Sequence, residues 1–285
     1  MNKFYFRAFN QFIYVLTRAF ISLKQKPGFV FSIVSTMGVT LGALLCVLTL
    51  AYVMLIKPLP YPDQERLFMA EQIQFDQSNK QNVKGFNYPG LVDFYQNQNI
   101  FSSASLVDYS ESSLIHHDNA PIINSSFVTP EWFVLSDAKI IKGRVFESTE
   151  ALDTFNPVAV LSYQTWLKLF SKDEDIIGKS VYTRNQNYTI VGVLDKNFIE
   201  PKLNGNDFET SIWFPWDYNA TSENSRKTWW GRSHKRTIIG KLPEAQSVVQ
   251  AEISATEYIN ETWQGHIAGE SFFAGWQMKI KLTSF

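Results

Sequence analysis

Between Phe29 and Ile56 the chain runs for 28 residues without a single charged side chain. A bilayer-spanning helix needs about 20 apolar residues, so this stretch is long enough to cross. As a helix it reaches about 42 Å at 1.5 Å per residue, more than a hydrocarbon core of about 30 Å. It must therefore tilt or project beyond the bilayer. The run is too long for the apolar part of a secretory leader, and Lys57-Pro58-Leu59-Pro60-Tyr61-Pro62 is a poor cleavage site. A lipoprotein anchor is excluded as well: Cys46 is preceded by Leu45 and lies deep inside the run. The expectation is one uncleaved transmembrane helix over residues 29–57.

Charge gives the orientation. Residues 1–57 carry Lys3, Arg7, Arg18, Lys24, Lys26 and Lys57 and no acid. The rest of the chain is acidic by seven charges, so the overall formal charge of -1 hides a sharp asymmetry. The positive-inside rule puts the N-terminus in the cytoplasm and everything after the span outside. The only basic block flanks an apolar run, which excludes a nucleic-acid-binding domain. One cysteine excludes an intrachain disulfide framework and a cysteine-based zinc cluster.

Ahead of the span, Phe9, Phe12, Ile13, Leu16, Phe20 and Leu23 share one side of a helical wheel, with Arg7, Gln11, Arg18 and Ser22 opposite. Residues 1–28 are therefore expected to hold an amphipathic helix at the cytoplasmic membrane interface, ended by Pro27-Gly28. Within the span, Gly38 and Gly42 are four apart, a spacing that allows a second helix to approach closely. After it, Pro58, Pro60 and Pro62 form a stiff periplasmic collar.

Beyond the collar the patterns alternate between strand and helix, giving α+β. Strands are expected at 67–74, 101–115, 121–128, 158–161, 208–216, 236–241 and 276–282, and a loop at 74–84. Residues 178–193 resemble a hairpin turning on Asn185-Gln186-Asn187. Helices are expected at 88–98, at 130–135 with Thr129 as cap, from Ser162 to Phe170, and at 243–263. Lys142 to Phe146 reads as a turn into an extended segment, and 222–233 as an exposed loop with Trp229 and Trp230. Residues 58–285 form one core region, divisible into about 60–140 plus 236–285 and an inserted 141–235.

Catalytic constellations are absent from the sequence. Gly178-Lys179-Ser180 ends like a phosphate-binding loop, but Asp173 occupies the position of its first glycine. His116 and His117 are adjacent and on a strand would face opposite ways, which argues against a shared metal. No cofactor, no metal site and no enzyme activity are expected.

The order of these segments resembles the MacB/FtsX-type permease superfamily of ATP-binding-cassette systems, most of all the MacB-like permeases with a periplasmic core domain. The resemblance rests on Lys26-Pro27-Gly28-Phe29, Leu41-Gly42, Leu59-Pro60-Tyr61-Pro62-Asp63, Tyr88-Pro89, Gly143-Arg144-Val145-Phe146, Val158 to Ser162 with Trp166 and Phe170, Ile177-Gly178-Lys179, Tyr188 to Val193, and Gly240-Lys241-Leu242. It departs from the pattern after Gly42, where Ala43-Leu44-Leu45-Cys46 replaces the family's I-G-A-N. The resemblance implies a permease in the bacterial inner membrane, with the lipid bilayer, a separate ABC ATPase subunit and a second copy or a partner permease chain as its associates. It implies a lever that couples ATP hydrolysis to a periplasmic domain during export. Such permeases carry three or more further spans after the core domain, so a sequence ending at Phe285 is expected to be a truncated, split or partial one. The competing expectation is a stand-alone membrane-anchored extracytoplasmic sensor or binding module.

Overall fold

The computed structural model describes residues 13–15, 17–19, 21–22, 24–55, 63–76, 78, 81–201, 209–233, 235–267 and 270–284. The chain separates into two compact units, 1–59 and 60–285.

The first unit contains helix α1 (Pro27–Leu55), 29 residues with no ionisable side chain except Cys46 and Tyr52. It is long and apolar enough to cross a membrane over Pro27–Val53. Residues 13–15, 17–19, 21–22 and 24 are helical too. Of the six residues in the predicted apolar stripe only Ile13 is described; the other five, and the Pro58, Pro60 and Pro62 collar, lie outside the described residues.

The second unit is built on an eleven-stranded mixed sheet. Its strands are β1 (Leu67–Phe75), β2 (Gln81–Lys84), β3 (Ser103–Ser113), β4 (Ile122–Val128), β5 (Ile140–Gly143), β6 (Val158–Leu161), β7 (Ser180–Thr183), β8 (Gln186–Leu194), β9 (Ile212–Pro215), β10 (Thr237–Lys241) and β11 (Gln277–Ser284). Their order is β11-β1-β10-β3-β4-β9-β6-β8-β5, with β2 added to β1 and β7 to β8. Only β4–β9 and β6–β8 run parallel. Strands from 67–128 and 237–284 occupy one end of the sheet and strands from 140–215 the other.

Five helices cover this sheet: α2 (Tyr88–Asn97), α3 (Glu131–Leu135), α4 (Tyr163–Leu169), α5 (Glu223–Lys227) and α6 (Val248–Ile267). Local chemistry starts them. The Asn87 side chain accepts from the Gly90 amide at 2.7 Å, with Pro89 in the first turn of α2. Ser162 does the same for α4, taking the Thr165 amide at 3.1 Å. Helix α6 buries Ala251, Ala255, Ile259 and Trp263, four residues apart, against Met278, Ile280 and Leu282, two apart on β11. The two periods mesh, and each fully buried large side chain stabilises by about 1.5–3 kcal/mol.

Several expectations need correction. The 74–84 loop contains β2, and the predicted turn at 142–146 overlaps the end of β5; both strands have four residues, too few for alternation to show. The hairpin turns on two residues, Arg184 and Asn185, with φ of 53° and 63°, rather than on Asn185-Gln186-Asn187. Both φ values are positive, as a two-residue turn matching strand twist requires. Thr129 does not cap α3. Its hydroxyl accepts from the Leu106 amide and donates to Ser105 Oγ, tying β3 to β4's end. Helix α6 starts at Val248 rather than Pro243, and its register leaves Ile253 exposed. Leu167 of α4 is exposed as well.

Candidate transmission site where the chain enters the core domain

On α1, nothing lies within 4 Å of the positions a Cβ would take at Gly38 and Gly42. At 100° per residue, Ser35, Gly38, Gly42, Cys46 and Thr49 share one face, a small-residue stripe open to another helix. The hydroxyls of Thr36, Thr40 and Thr49 donate to the carbonyls of Ser32, Thr36 and Leu45 at 2.7, 3.0 and 2.7 Å. Their polarity is therefore satisfied inside the helix, as a hydrocarbon surround demands.

The first described residue of the core unit, Asp63, sits in the left-handed region with φ 51° and ψ 46°. It leads into a single 3-10 turn, Gln64–Arg66, and then into β1. This turn is fastened to the link between β10 and α6. Asp63 forms an ion pair with Lys241 Nζ, whose hydrogen bond and charge hold the Asp63 carboxyl below its usual value. Arg66 Nε donates to the Leu242 carbonyl at 2.8 Å, and the Leu242 amide donates to the Arg66 carbonyl at 2.9 Å. Arg66 Nη1 reaches Glu244 Oε1 at 3.0 Å. Glu244 is largely exposed, so that last pair stabilises little; the part-buried bonds to Leu242 carry most of the fastening.

The last strand returns to the same place. Phe68 of β1 pairs with Ser284 of β11, and the register continues without a bulge to Phe75 and Gln277. The other edge of β11 is closed by side chains from α6 rather than by a strand. The amides of Leu282 and Ile280 donate to Glu252 Oε1 at 2.8 Å and Thr256 Oγ1 at 3.0 Å. Asn260 takes both polar groups of Met278, at 2.7 and 2.6 Å. Closing an edge in this way prevents strand addition.

Two polar groupings lie further along the sheet. Tyr88 stacks on Trp216 with ring centroids 5.8 Å apart, and its hydroxyl accepts from Trp216 Nε1 at 3.1 Å and from Arg226. Arg226 and Arg236 both lie over the Tyr88 ring, at 4.8 and 5.5 Å. Behind them, burial pushes the Asp108 carboxyl up to about 6, against the opposing pull of Arg236. Secondly, a groove of about 820 Å³ runs between α4 and the segment 195–200, with Tyr163, Phe198, Glu200 and Trp213 in its wall. Glu200 accepts from the Thr210 amide at 2.8 Å and from its hydroxyl at 2.6 Å, and burial raises its carboxyl to about 7.

Other sequence candidates resolve into structural roles. His116 and His117 lie beyond the end of β3 and line one small cavity of about 240 Å³, rather than facing apart on a strand. His116 stacks on Tyr182 and His117 Nε2 bonds the Leu169 carbonyl at 2.7 Å. No grouping of three metal-ligating side chains occurs among the described residues. Trp229 anchors on the domain itself, stacked on His266 at 3.8 Å, and the segment around it includes α5. The fastening of Arg66 to Leu242 and Glu244 escaped sequence reasoning. Its partners are 176 and 178 positions apart, and no local pattern carries such a pair.

Residues 32–258 match the model of the MacB-like periplasmic core domain. Two solved structures share the fold. One is a domain of a putative permease protein from Porphyromonas gingivalis, 14% identical, covering 80% of this chain and 93% of that one, with a TM-score of 0.56. The other is the extracellular domain of the noncanonic ABC-type transporter YknZ from Gram-positive bacteria, 13% identical, covering 75% and 99%, with a TM-score of 0.51. No curated protein matches the chain.

Proposed function

Because this chain belongs to the MacB-like periplasmic core domain family, we propose that it is the membrane permease component of an ABC-type export system. It performs no chemistry itself. A separate ATPase works on the cytoplasmic side, and the chain carries the resulting displacement to a domain in the periplasm. The observation that supports this best is the pairing of one uncharged 29-residue helix with a domain whose first strand is fastened where the chain enters it. A rigid helix moves as a unit, and a fastened attachment passes that motion on instead of absorbing it.

In this reading α1 spans the inner membrane with its basic flank in the cytoplasm. The face of Gly38 and Gly42 packs against a further span, supplied by a second copy or by a partner permease chain. Pro58, Pro60 and Pro62 limit the backbone freedom of the link, so that little displacement is lost there.

Co-purification from detergent-solubilised membranes tests the proposal. An affinity-tagged full chain should bring down an ABC ATPase subunit in defined stoichiometry. Its consistent absence, with the chain intact and membrane-bound, would overturn the reading. A flexible Gly/Ser insert after Lys57 should leave that association in place while abolishing export. Export that continues at the same rate would remove the role assigned to the prolines.

A further inference from the structure

We infer that the turn Gln64–Arg66, strands β1 and β11 and helix α6 form one rigid block, in which displacement at Asp63 and Arg66 enters the segment 241–244 that leads into α6, and α6 delivers it to β11. The inference rests on the lever reading above and names the parts that would execute it.

The path runs through side-chain bonds at its two ends and through the chain itself from 244 to 248. Asp63 and Arg66 hold Lys241, Leu242 and Glu244, the residues that end β10 and approach α6. Helix α6 then runs 20 residues, about 30 Å of regular helix, alongside β11. Glu252, Thr256 and Asn260 stand four residues apart on it, hence in one row. That row meets Leu282, Ile280 and Met278, which stand two apart on the unpaired edge of β11. Four helical residues rise about 6 Å, and two strand residues about 6.6 Å, so the rows stay in step for all three contacts. The second connection, through the β1–β11 register from Phe68 to Phe75, closes the loop. A block held at both ends and along both edges of β11 cannot let α6 slide without breaking several hydrogen bonds at once.

The coupling is reciprocal if the block is real, because a free energy linking two sites acts in both directions. Hydrogen exchange on the full chain in lipid nanodiscs, read by mass spectrometry, tests it without any ATPase. A negative result would therefore refute the block and leave the transporter reading standing. Arg66→Ala removes the bond to Leu242 at one end. Exchange in the peptide containing Met278, Ile280 and Leu282 should rise about tenfold, the effect of losing one charge-assisted bond, while β6 and β8 stay unchanged. Thr256→Val removes the acceptor of the Ile280 amide at the other end and should speed exchange at 64–70 and 240–246. Acceleration confined to the mutated end in either variant overturns the inference. Should Arg66→Ala fail to fold, Thr256→Val alone decides by the same criterion.

Discussion

Glu200 should make the stability of the core domain fall between mildly acidic and neutral pH. Its carboxyl is raised from 4.5 to about 7, first of all by burial, with the nearby Glu209 adding to the rise and the Thr210 hydrogen bonds opposing it. An acid whose folded value lies above its unfolded value keeps its proton longer in the folded state. Its contribution to stability is intact below about 4.5 and is lost progressively as pH rises to about 7. The interval of roughly 2.5 pH units, at about 1.36 kcal/mol per unit, comes to about 3 kcal/mol. For a domain of this size that corresponds to a melting shift of roughly 6–12 °C. All eight tryptophans follow the membrane helix in sequence, so their fluorescence in detergent micelles reports unfolding of the core domain. Asp108, raised to about 6, loses its own contribution between 3.8 and about 6, so the leg from pH 6 to 7 belongs to Glu200. Glu200→Gln should flatten that leg. If the variant melts with the same slope as the natural chain between pH 6 and 7, the buried state of Glu200 has been misread.

Three further outcomes follow from contacts elsewhere. Glu150 is almost fully buried and accepts two bonds from Arg144 at 2.7 and 2.8 Å; burial raises its carboxyl, but Arg144 and the Glu147 amide outweigh it and hold it below its usual 4.5. Arg144→Ala should cost about 2–3 kcal/mol in chemical unfolding, and should remove the share of Glu150 in the stability that the natural chain loses on acidification below 4.5. At Gly240 a Cβ would fall 2.2 Å from Phe101 Cγ, so Gly240→Ala should lower stability by about 1–3 kcal/mol, whereas Gly231→Ala, whose nearest neighbour is 3.7 Å away, should be close to neutral by the same unfolding assay. Cys46 lies on the face of Gly42 and is the only cysteine, so copper-catalysed oxidation in membranes should join two copies if that face pairs with itself. Gly42→Leu should then reduce the crosslinked fraction several-fold; an unchanged fraction would remove the stripe from the interface.

The sequence exposed those parts of the fold whose cause is local. Residues 67–74 and 158–161 read as strands from their own short apolar groups, and strands occupy Leu67–Phe75 and Val158–Leu161. Ser162 announced a helix start that the backbone adopts, since a cap acts within three residues of itself. What stayed hidden acts over distance. Strand β5 has four residues and exists because β8 offers a partner edge, which nothing in Ile140 to Gly143 states. Ile253 is apolar yet exposed, because the face that α6 turns to β11 is the one carrying Asn260 and Thr256. For the candidate site the division is the same. The open stripe on α1 and the prolines after it are written in consecutive residues. The fastening at Arg66 depends on residues near 242 arriving beside it, and the chain reaches them only after building ten strands, β1 to β10.

Why such a fastening belongs at β1 follows from the sheet order. A strand that takes a pull at its end resists according to how many hydrogen bonds are loaded together. Strand β1 has β11 from Phe68 to Phe75 on one side, with β10 and then β2 on the other. It is thus paired along both edges, and a pull along its axis loads these ladders in shear. At its first residue Leu67 pairs with Lys241, and the described β11 register runs from Phe68. There a sideways pull would peel one pair at a time. Asp63 and Arg66 hold the chain to the end of β10 and the residues just beyond it, ahead of that first pair. Peeling at this end cannot start until they release.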